Sequence, residues 1–384
     1  MNENVWEDTM RQWFIAAICA VFAMPSAAEN LTSEMRKLLK DANLNEAVVA
    51  GLDKELAVPA AWVDAAKKEG KVRIQAQMSE QEFAATSKLF KARYPGIELE
   101  YVRGIGAQTQ KALVAYRTGS VIVDVIAAYD SRVDEFRAAG LLDVRDLPAY
   151  QSLRDEMKTP EGSDAADKMN YWCMTYSTDR VKKADLPKTW DEVLTNSRLR
   201  GGKLAVASNS GQTLLPTLAV KLGDQWSENW LTRLFGEVKP QMRKETLAAT
   251  SKLISVGEFD VVFAVQDYVT ERDNKRGMPV AAHCPEPLVG TWGKLGILKA
   301  SPYLNAARLY TNWHISKEGQ IANYHYARQV PVHAALWGRD FLPYPDEIMG
   351  KKILFRTDDV LREQPRIVTQ WNQYWQRAGG GAID

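Results

Sequence analysis

The sequence predicts an α/β protein of two lobes, each built on a largely parallel sheet. Two observations lead to this fold class. From Trp62 onward, short apolar runs alternate with segments whose apolar residues recur at helical spacing, and this alternation is typical of α/β layering. The chain also has 384 residues, which is enough for two cores of normal domain size.

Five short apolar runs are the predicted strands. Residues 121–127 and 261–265 are almost continuously apolar, as expected for strands that are covered on both faces. Residues 97–102 alternate instead, which favours a strand with one wetter face. The remaining predicted strands are 71–75 and 203–207. Helices are predicted after each strand, and Pro or Gly ends several of them.

The amino terminus resembles a secretory signal peptide, which we place at residues 1–28. An apolar run of 12 residues, Trp13 to Met24, precedes Pro25 and the small residues 26–28. This run is shorter than the roughly 20 apolar residues that a membrane span needs. Acidic residues stand before it where positive charge is expected, so Met10 is an alternative start. A buried amino-terminal helix is the alternative interpretation; the signal peptide predicts a periplasmic protein.

A charged segment, residues 29–60, follows the predicted signal. Met35, Leu38 and Leu39 recur at helical spacing, as do Val48, Leu52 and Leu56 later in the segment. We predict a helical amino-terminal extension and assign it no function from sequence.

The charged and sulfur-containing residues exclude some classes of function. The 49 basic and 48 acidic residues leave a net charge of +1, without the basic excess of a nucleic-acid-binding protein. If Cys19 leaves with the signal peptide, Cys173 and Cys284 remain. They are either paired in one disulfide, which an oxidising periplasm permits, or buried apart, and the sequence leaves both open. His283 beside Cys284 lacks the further ligands of a zinc site.

No enzyme signature is present, and we predict a protein that is not an enzyme and has no cofactor. The sequence SNSG at 208–211 lacks the flanking pattern of a nucleophile elbow. The four histidines lack metal-binding spacing, and Gly104-x-Gly106 lacks the third glycine of a dinucleotide fingerprint.

Several short motifs between Trp62 and Trp337 resemble the iron(III)/organic-anion group of periplasmic solute-binding proteins, extracellular solute-binding family 1. Each motif is weak alone, and their order and spacing together are specific. They are AKKEGKV at 66–72, YPGIELEY at 94–101, LPKTWDEVL at 186–194, NAARLY at 305–310 and SKEGQ at 316–320.

The resemblance implies a type II periplasmic-binding-protein-like fold, in which two lobes joined by crossover strands close on a ligand. Its ferric branch has two adjacent tyrosines where this chain has Asp267 and Tyr268. Iron(III) prefers several anionic oxygen ligands, so the missing tyrosine points away from iron. We therefore predict no bound metal, although a metal contact of Asp267 and a packing role of Tyr268 stay open.

The ligand-binding residues are predicted from the ends of the strands. In open α/β sheets, ligands bind beyond the carboxyl ends of the strands, where helix amino termini favour anions. The same residue types also cap helices and form turns in any α/β protein. The predicted ligand-binding residues are Ser79, Gly104, Gly106, Tyr129, Asp130, Ser208, Asn209, Ser210, Gly211, Gln266, Asp267 and Tyr268.

Two arginines and two tryptophans extend this set. Arg243 is included in the predicted site, and Arg103 is a further candidate counter-charge for an anion, although surface arginines are often only solvated. Trp172 and Trp292 are candidate walls of the cleft, with core packing as the alternative.

The predicted function is periplasmic capture of a small, anionic organic solute by hinge closure, and its delivery to an ABC permease in the inner membrane. The alternatives are a ferric or other metal carrier, a sensory subunit that presents its ligand to a receptor, and an enzyme on the same fold. We expect a monomer. The predicted lobes are 61–135 with 286–335 and 136–285 with 336–384.

Overall fold

The computed structural model describes residues 31–104, 107–129, 131–159, 161–212, 214–342 and 344–381. The predicted signal peptide, Gly106 and Asp130 lie outside the described residues, and of Tyr129 only the backbone is described. Within the described ranges, none of the helices combines the length and the apolar character that crossing a membrane requires.

Ten strands in the described part of the chain form one mixed sheet, in the order β2-β1-β3-β9-β4-β7-β5-β6, with β10 beside β9 and β8 beside β4. Their bounds are β1 (Lys71–Ala76), β2 (Glu98–Arg103), β3 (Val125–Tyr129), β4 (Ala165–Ser177), β5 (Leu204–Ala207), β6 (Gln241–Arg243), β7 (Val261–Gln266), β8 (Val280–His283), β9 (Leu288–Ile297) and β10 (Ile353–Phe355).

The helices lie on both faces of this sheet, so the predicted α/β class is confirmed. They are α1 (Ser33–Asp41), α2 (Leu52–Glu55), α3 (Ala60–Glu69), α4 (Glu80–Arg93), α5 (Ala107–Arg117), α6 (Ser131–Gly140), α7 (Leu214–Leu222), α8 (Asp224–Arg233), α9 (Leu247–Leu253), α10 (Asp267–Lys275), α11 (Leu304–Ile315), α12 (Lys317–Ala327), α13 (Pro345–Ile348) and α14 (Asp358–Arg377).

Two long antiparallel strands, β4 and β9, connect the two halves of the sheet. The start of β4 pairs with the end of β9 beside β3, and the end of β4 pairs with β7 and β8. Their side chains contribute to two separate cores: Met169 and Leu295 pack with the first, and Trp172 and Val289 with the second. The fold therefore has two lobes joined by a pair of crossover strands.

The division of the chain between the lobes differs from the predicted boundaries. Side chains from Val144 to Met157, predicted in the second lobe, pack in the core of the first lobe. Phe341, Leu342 and Ile348 also belong to that core, whereas α14 packs on the second lobe through Ile367, Trp371 and Trp375. The chain thus returns to the second lobe only near residue 356, about twenty residues later than predicted from the sequence.

The amino-terminal extension is an integral layer of the first lobe. Thr32 caps α1, and the apolar face of this helix buries Met35, Leu38 and Leu39 in the first core. In α2, the Glu55 carboxylate lies 2.7 Å from Nε2 of His333 and accepts the backbone N–H of Lys317 at 2.8 Å. The extension is thus fixed to α12 and to the segment that follows it.

Cys173 and Cys284 form a disulfide. Cys173 lies in β4 and Cys284 follows β8, so the bond joins one crossover strand to the segment that leads into the other. It closes a loop of 111 residues. In a chain-entropy model, closing a loop of this length stabilises the folded state by about 4–5 kcal/mol.

Replacing both cysteines by serine is therefore expected to lower the free energy of unfolding by up to about 4–5 kcal/mol. Denaturant unfolding of the oxidised protein, the reduced protein and the double variant measures this change. The reduced protein and the variant should agree, and the variant should not respond to reductant. Equal stability of all three would contradict a structural disulfide.

Leu38→Ala tests whether the extension belongs to the folded lobe. Leu38 is fully buried, so its truncation is expected to cost about 2–5 kcal/mol of unfolding free energy. Lys37→Ala, at an exposed position of the same helix, is the control. If the two variants unfold at the same denaturant concentration, the extension is not part of the cooperative unit.

Candidate functional site

The carboxyl ends of the strands of both lobes meet beside the middle of the crossover pair. The last residue of β3, Tyr129, lies opposite Gly293 of β9. The last residue of β7, Gln266, lies opposite Trp172 of β4. Because β3 and β7 point at one another from opposite lobes, the loops after them border a common cleft.

The register shows which side chains of the crossover strands share a face of the sheet. Ala127 of β3 packs in the first core, its register partner Leu295 shares its face of the sheet, and Gly293, two residues before Leu295, lies on that face as well. Arg103 of β2 lies on the same face, which we call the cleft face. Thr291 and Asn170, a register pair, lie on it as well.

The middle of the cleft face is polar although it is buried. Lys168, Asn170 and Thr291 are each at most 3% exposed. Trp172 donates its indole N–H to Oγ1 of Thr291 at 3.2 Å, which joins the two crossover strands. Beside them, Asp167 accepts from Lys168 at 2.8 Å and contacts Nε2 of His314 at 2.5 Å. These pairs lower the pKa of the Asp167 carboxyl against the opposing effect of burial.

Tyr268 is a sequence-predicted site residue of the second lobe whose pKa is influenced by charges of both lobes. It lies in the first turn of α10, and the Arg272 guanidinium stands 6.0 Å from the centre of its ring. Burial raises the pKa of its hydroxyl, and the charges of Glu82 and Arg103 also act on that pKa. Glu82 and Arg103 belong to the first lobe, so charges from both lobes act on the pKa of this phenol.

Asp267 is withdrawn from solvent and is fully buried. Its Oδ1 accepts the backbone N–H of Tyr171 at 3.0 Å and that of Tyr268 at 2.9 Å. It thereby fixes the start of α10 to crossover strand β4. Burial raises the pKa of the Asp267 carboxyl to about 7, because the hydrogen bonds to the two N–H groups only partly offset the cost of a buried charge.

The predicted residues after β1 and β2 have structural contacts. Ser79 caps α4, accepting the N–H of Glu82 at 3.2 Å while Glu82 accepts the N–H of Ser79 at 2.9 Å. Gly104 lies against Gln75, whose Cγ is 2.4 Å from the position that a Cβ would occupy. Gly104 is therefore required for the packing of β1 against the end of β2.

The predicted residues after β5 also have structural contacts, within the second lobe. Ser210 is fully buried, accepts the N–H of Ala207 and donates to the carbonyl of Phe263. A Cβ on Gly211 would lie 2.0 Å from the ring of Trp371 in α14. Ser210 and Gly211 therefore support the packing of the second lobe. Ser208 and Asn209 are partly exposed, although the Ser208 carbonyl accepts the Trp371 indole N–H at 2.8 Å.

The two arginines predicted as counter-charges for an anion have different surroundings. Arg243 donates to Glu245 at 2.8 Å and packs on the ring of Phe259, so its charge is already balanced within the second lobe. Arg103 is exposed and makes no ion pair with any residue that the structure describes. Gln266 remains half-buried at the cleft edge of β7.

The two candidate tryptophans lie on opposite faces of the crossover pair. Trp172 shares the face of Asn170. Trp292 pairs with Met169 on the other face. Sequence reasoning missed the contributions of Asn170, Thr291 and Arg272, and the only available signal was the polar residues inside otherwise apolar segments.

A metal centre has little support among the described residues. No group of three or more His, Cys, Asp or Glu side chains is placed there to hold an ion. Oδ1 of Asp267 accepts two backbone N–H groups, and the neighbouring Tyr268 ring has the Arg272 guanidinium 6.0 Å from its centre.

Comparison with curated proteins gives a partial match. An uncharacterized protein of Haemophilus influenzae is 29% identical over 153 residues, which are 38% of this chain and 42% of that protein. The chain thus matches less than half the length of this relative.

Solved structures share the fold at low sequence identity. Iron-bound HitA from Pseudomonas aeruginosa aligns with a TM-score of 0.65 and 17% identity, over 79% of this chain and 99% of that one. Trichodesmium IdiA (FutA), in complex with iron and citrate, aligns with a TM-score of 0.65 and 16% identity, over 81% of this chain and 100% of that one. The substrate-binding protein of an ABC transporter from Agrobacterium tumefaciens aligns with a TM-score of 0.65 and 14% identity. The alignment covers 80% of this chain and 96% of that one.

These similarities confirm the two-lobed periplasmic-binding-protein fold expected from the sequence motifs. The family model described as bacterial extracellular solute-binding protein matches residues 58–321, which is more than half of the chain and includes both crossover strands. The chain therefore belongs to the family of bacterial extracellular solute-binding proteins.

Proposed function

We propose that this protein captures a small organic anion in the periplasm and delivers it to an ABC permease in the inner membrane. The charged groups around Tyr268 are the observation that supports an anionic ligand. Its ring lies beside Arg272 of the same lobe, and the charge of Arg103 reaches it from the opposite lobe. A ligand between the lobes would meet a phenol donor and two guanidinium groups.

The charge balance of the cleft supports the same ligand class. Glu82 is the facing carboxylate, and its side chain is engaged by the backbone N–H of Ser79. Asp267 has a pKa near 7, so at neutral pH it bears only part of a negative charge. α4 and α10 begin directly after β1 and β7, near the strand ends that border the cleft, and the dipole at a helix amino terminus favours negative charge.

The connection between the lobes supports capture by hinge closure. The crossover strands β4 and β9 both pass from one core to the other. A ligand that contacts Arg103 and Tyr268 together binds the closed arrangement better than an open one, so it shifts the population toward closure.

A ferric carrier is the second candidate, and the titles of two structural relatives favour it because they name bound iron. Where the ferric branch has two adjacent tyrosines, this chain has one, Tyr268. The other position holds Asp267, whose carboxylate accepts hydrogen bonds from backbone N–H groups. Two neighbouring arginines oppose a trivalent cation, whereas an iron–anion complex would tolerate them. The organic anion is therefore the better-supported ligand.

Thermal unfolding with a panel of organic anions, polyols, amines and ferric citrate tests this proposal. One class of organic anion is expected to raise the melting temperature, because a ligand at 100 times its Kd stabilises by about 2.7 kcal/mol. Arg103→Gln and Tyr268→Phe should weaken that effect by removing a charge or a hydroxyl from opposite lobes.

Lys67→Gln, on the exposed face of α3, removes the same charge far from the cleft and is the control. If ferric ion alone stabilises the protein and Tyr268→Phe abolishes the effect, the ferric carrier replaces our proposal. If none of the compounds stabilises it, solute capture is wrong.

The pKa of Asp267 predicts how anion affinity depends on pH. Protonation of this carboxyl removes a negative charge beside Tyr268, so affinity should rise several-fold as the pH falls from 8 to 6, through the pKa near 7. Asp267→Asn keeps an oxygen acceptor for the two N–H groups and should flatten this profile at the high-affinity level. Titration calorimetry of both proteins measures it, and parallel profiles would exclude Asp267 as the titrating group.

A further inference from the structure

A β-bulge interrupts β7 just before the candidate site. On β4, Cys173 and Thr175 are separated by one residue. Their register partners on β7 are separated by two residues, Phe263 and Ala264. An insertion of this kind bends the bulged strand and increases its twist, so it changes the direction in which the following residues leave the sheet.

The bulge holds Ala264 in a strained backbone conformation. Its φ is 55°, in the left-handed region that residues other than glycine avoid because Cβ crowds the backbone. Ala264 nevertheless lies inside a strand and is fully buried. Such a conformation persists only where the surrounding structure enforces it, and it occurs preferentially at functional sites. Here the strained residue directly precedes the segment 265–268, which leads into the candidate site.

The first residue of the bulge is anchored in the second core. The Phe263 ring packs against two tryptophans, with ring centroids 5.5 Å from Trp190 and 5.4 Å from Trp230. Both tryptophans are buried, and their indole N–H groups donate to backbone carbonyls at 2.9 Å and 2.8 Å respectively. Since Phe263 is held in this way, Ala264 is the residue that absorbs the irregularity.

A serine hydroxyl takes the place of backbone pairing beside the bulge. β5 extends to Ala207, yet in the described part of the chain its last register pair with β7 is Ala205 with Val262. Beyond that pair, Ser210 donates its hydroxyl to the carbonyl of Phe263 at 3.2 Å and accepts the N–H of Ala207 at 3.1 Å. The bulge and Ser210 thus set the relative positions of the loops after β5 and β7.

The register after the bulge determines where α10 begins. Gln266 is the register partner of Trp172. Asp267 follows, and its Oδ1 accepts the backbone N–H of Tyr171 at 3.0 Å. A β7 of the same length without the bulge would advance every residue after Ala264 by one position along β4. Asp267 would then pass Tyr171 and lose this hydrogen bond, which fixes the start of α10.

We propose that the bulge positions the loops of the second lobe for ligand capture, and that Ala264 and Ser210 are positioning residues of the cleft. Both are fully buried, so neither side chain touches the ligand. Ala264 directs the chain into α10 and its Tyr268 phenol, and Ser210 ties β7 to the loop after β5. The effect on affinity rests on the proposed capture of an anion, whereas the placement of Asp267 does not.

Amide hydrogen exchange of the ligand-free protein tests the placement of Asp267. Its two donors, the N–H groups of Tyr171 and Tyr268, should exchange about tenfold faster in Ala264→Val, because a β-branched residue resists a positive φ. Ala264→Gly should retain the wild-type protection, since glycine adopts this φ freely. Ala205→Val is the matched control, because it enlarges another fully buried alanine of the same core.

Two results would contradict the role of Ala264. One is equal protection of these two N–H groups in Ala264→Val and Ala205→Val. The other is faster exchange in Ala264→Gly, which would show that the packed methyl group matters and the backbone conformation does not.

Ser210→Ala carries the test if Ala264→Val does not fold. The substitution removes the hydroxyl that donates to the Phe263 carbonyl, so the same two N–H groups should exchange about tenfold faster. Ser227→Ala is its control, because Ser227 is also fully buried in the second lobe and donates to a carbonyl, that of Asp224, at 2.9 Å. If the two serine variants exchange alike at these positions, Ser210 is only a packing residue.

Anion affinity separates this proposal from the proposed function. Titration calorimetry uses the anion of the thermal-unfolding panel that stabilises the wild-type protein most. Ala264→Val and Ser210→Ala should bind it about tenfold more weakly, and their two control variants as the wild type does. Full affinity in both variants, despite faster exchange, would overturn the role in capture and leave the placement of Asp267 intact. If no anion of the panel binds the wild type, solute capture is wrong, and the exchange rates still decide the placement.

Discussion

The pairing of β4 with β9 is the constraint on which the rest of the molecule depends. Seven register pairs, from Ala165 with Leu295 to Trp172 with Val289, join the strands across the boundary between the cores. The loops after β3 and β7 are positioned directly by this pair, because β3 borders β9 and β7 borders β4. The pair also separates the cleft face from the opposite face of the sheet.

Polar groups buried along this pair explain how it can be both rigid and functional. Asp167 is engaged by Lys168 and His314, and Asp267 by two backbone N–H groups. A buried charge is costly unless it is paired, so these contacts fix the geometry on either side of the cleft. The cleft ligand then meets groups whose positions are already set, which lowers the entropic cost of binding.

The sequence predicted the class of fold and the strands that obey simple patterns. The predicted strand at 261–265 corresponds to β7, and that at 71–75 to β1, because continuous apolar runs and their flanking turns define them. The predicted strand at 121–127 starts only at Val125. The crossover strands were missed altogether. Asp167, Lys168 and Asn170 interrupt β4, and Gly290, Gly293 and Gly296 interrupt β9, so neither has the expected hydrophobic pattern.

Local sequence patterns also gave incomplete information about the candidate ligand-binding residues. The rule that ligands bind beyond strand ends selects loops, but it does not tell which residue of a loop is free to meet a ligand and which is engaged in packing. Gly211 contacts Trp371, which lies 160 residues later in the chain, and no local pattern reveals that contact. Tyr268 could be selected because its position in the motif was informative, whereas Arg272 lies one helical turn further, on a face that the sequence leaves undefined.

The contacts of the amino-terminal extension indicate that the two lobes close by rigid rotation. Residues 31–57 precede the matched region of 58–321, yet they supply part of the first core. Through Glu55 they hold His333 and the start of α12, and the charges of Asp267 and Glu271 reach Tyr324 of that helix from the second lobe. Because this wall of the first lobe is fixed by buried contacts, rearrangement within it would be costly. Motion is therefore left to the crossover strands, because they join the two cores.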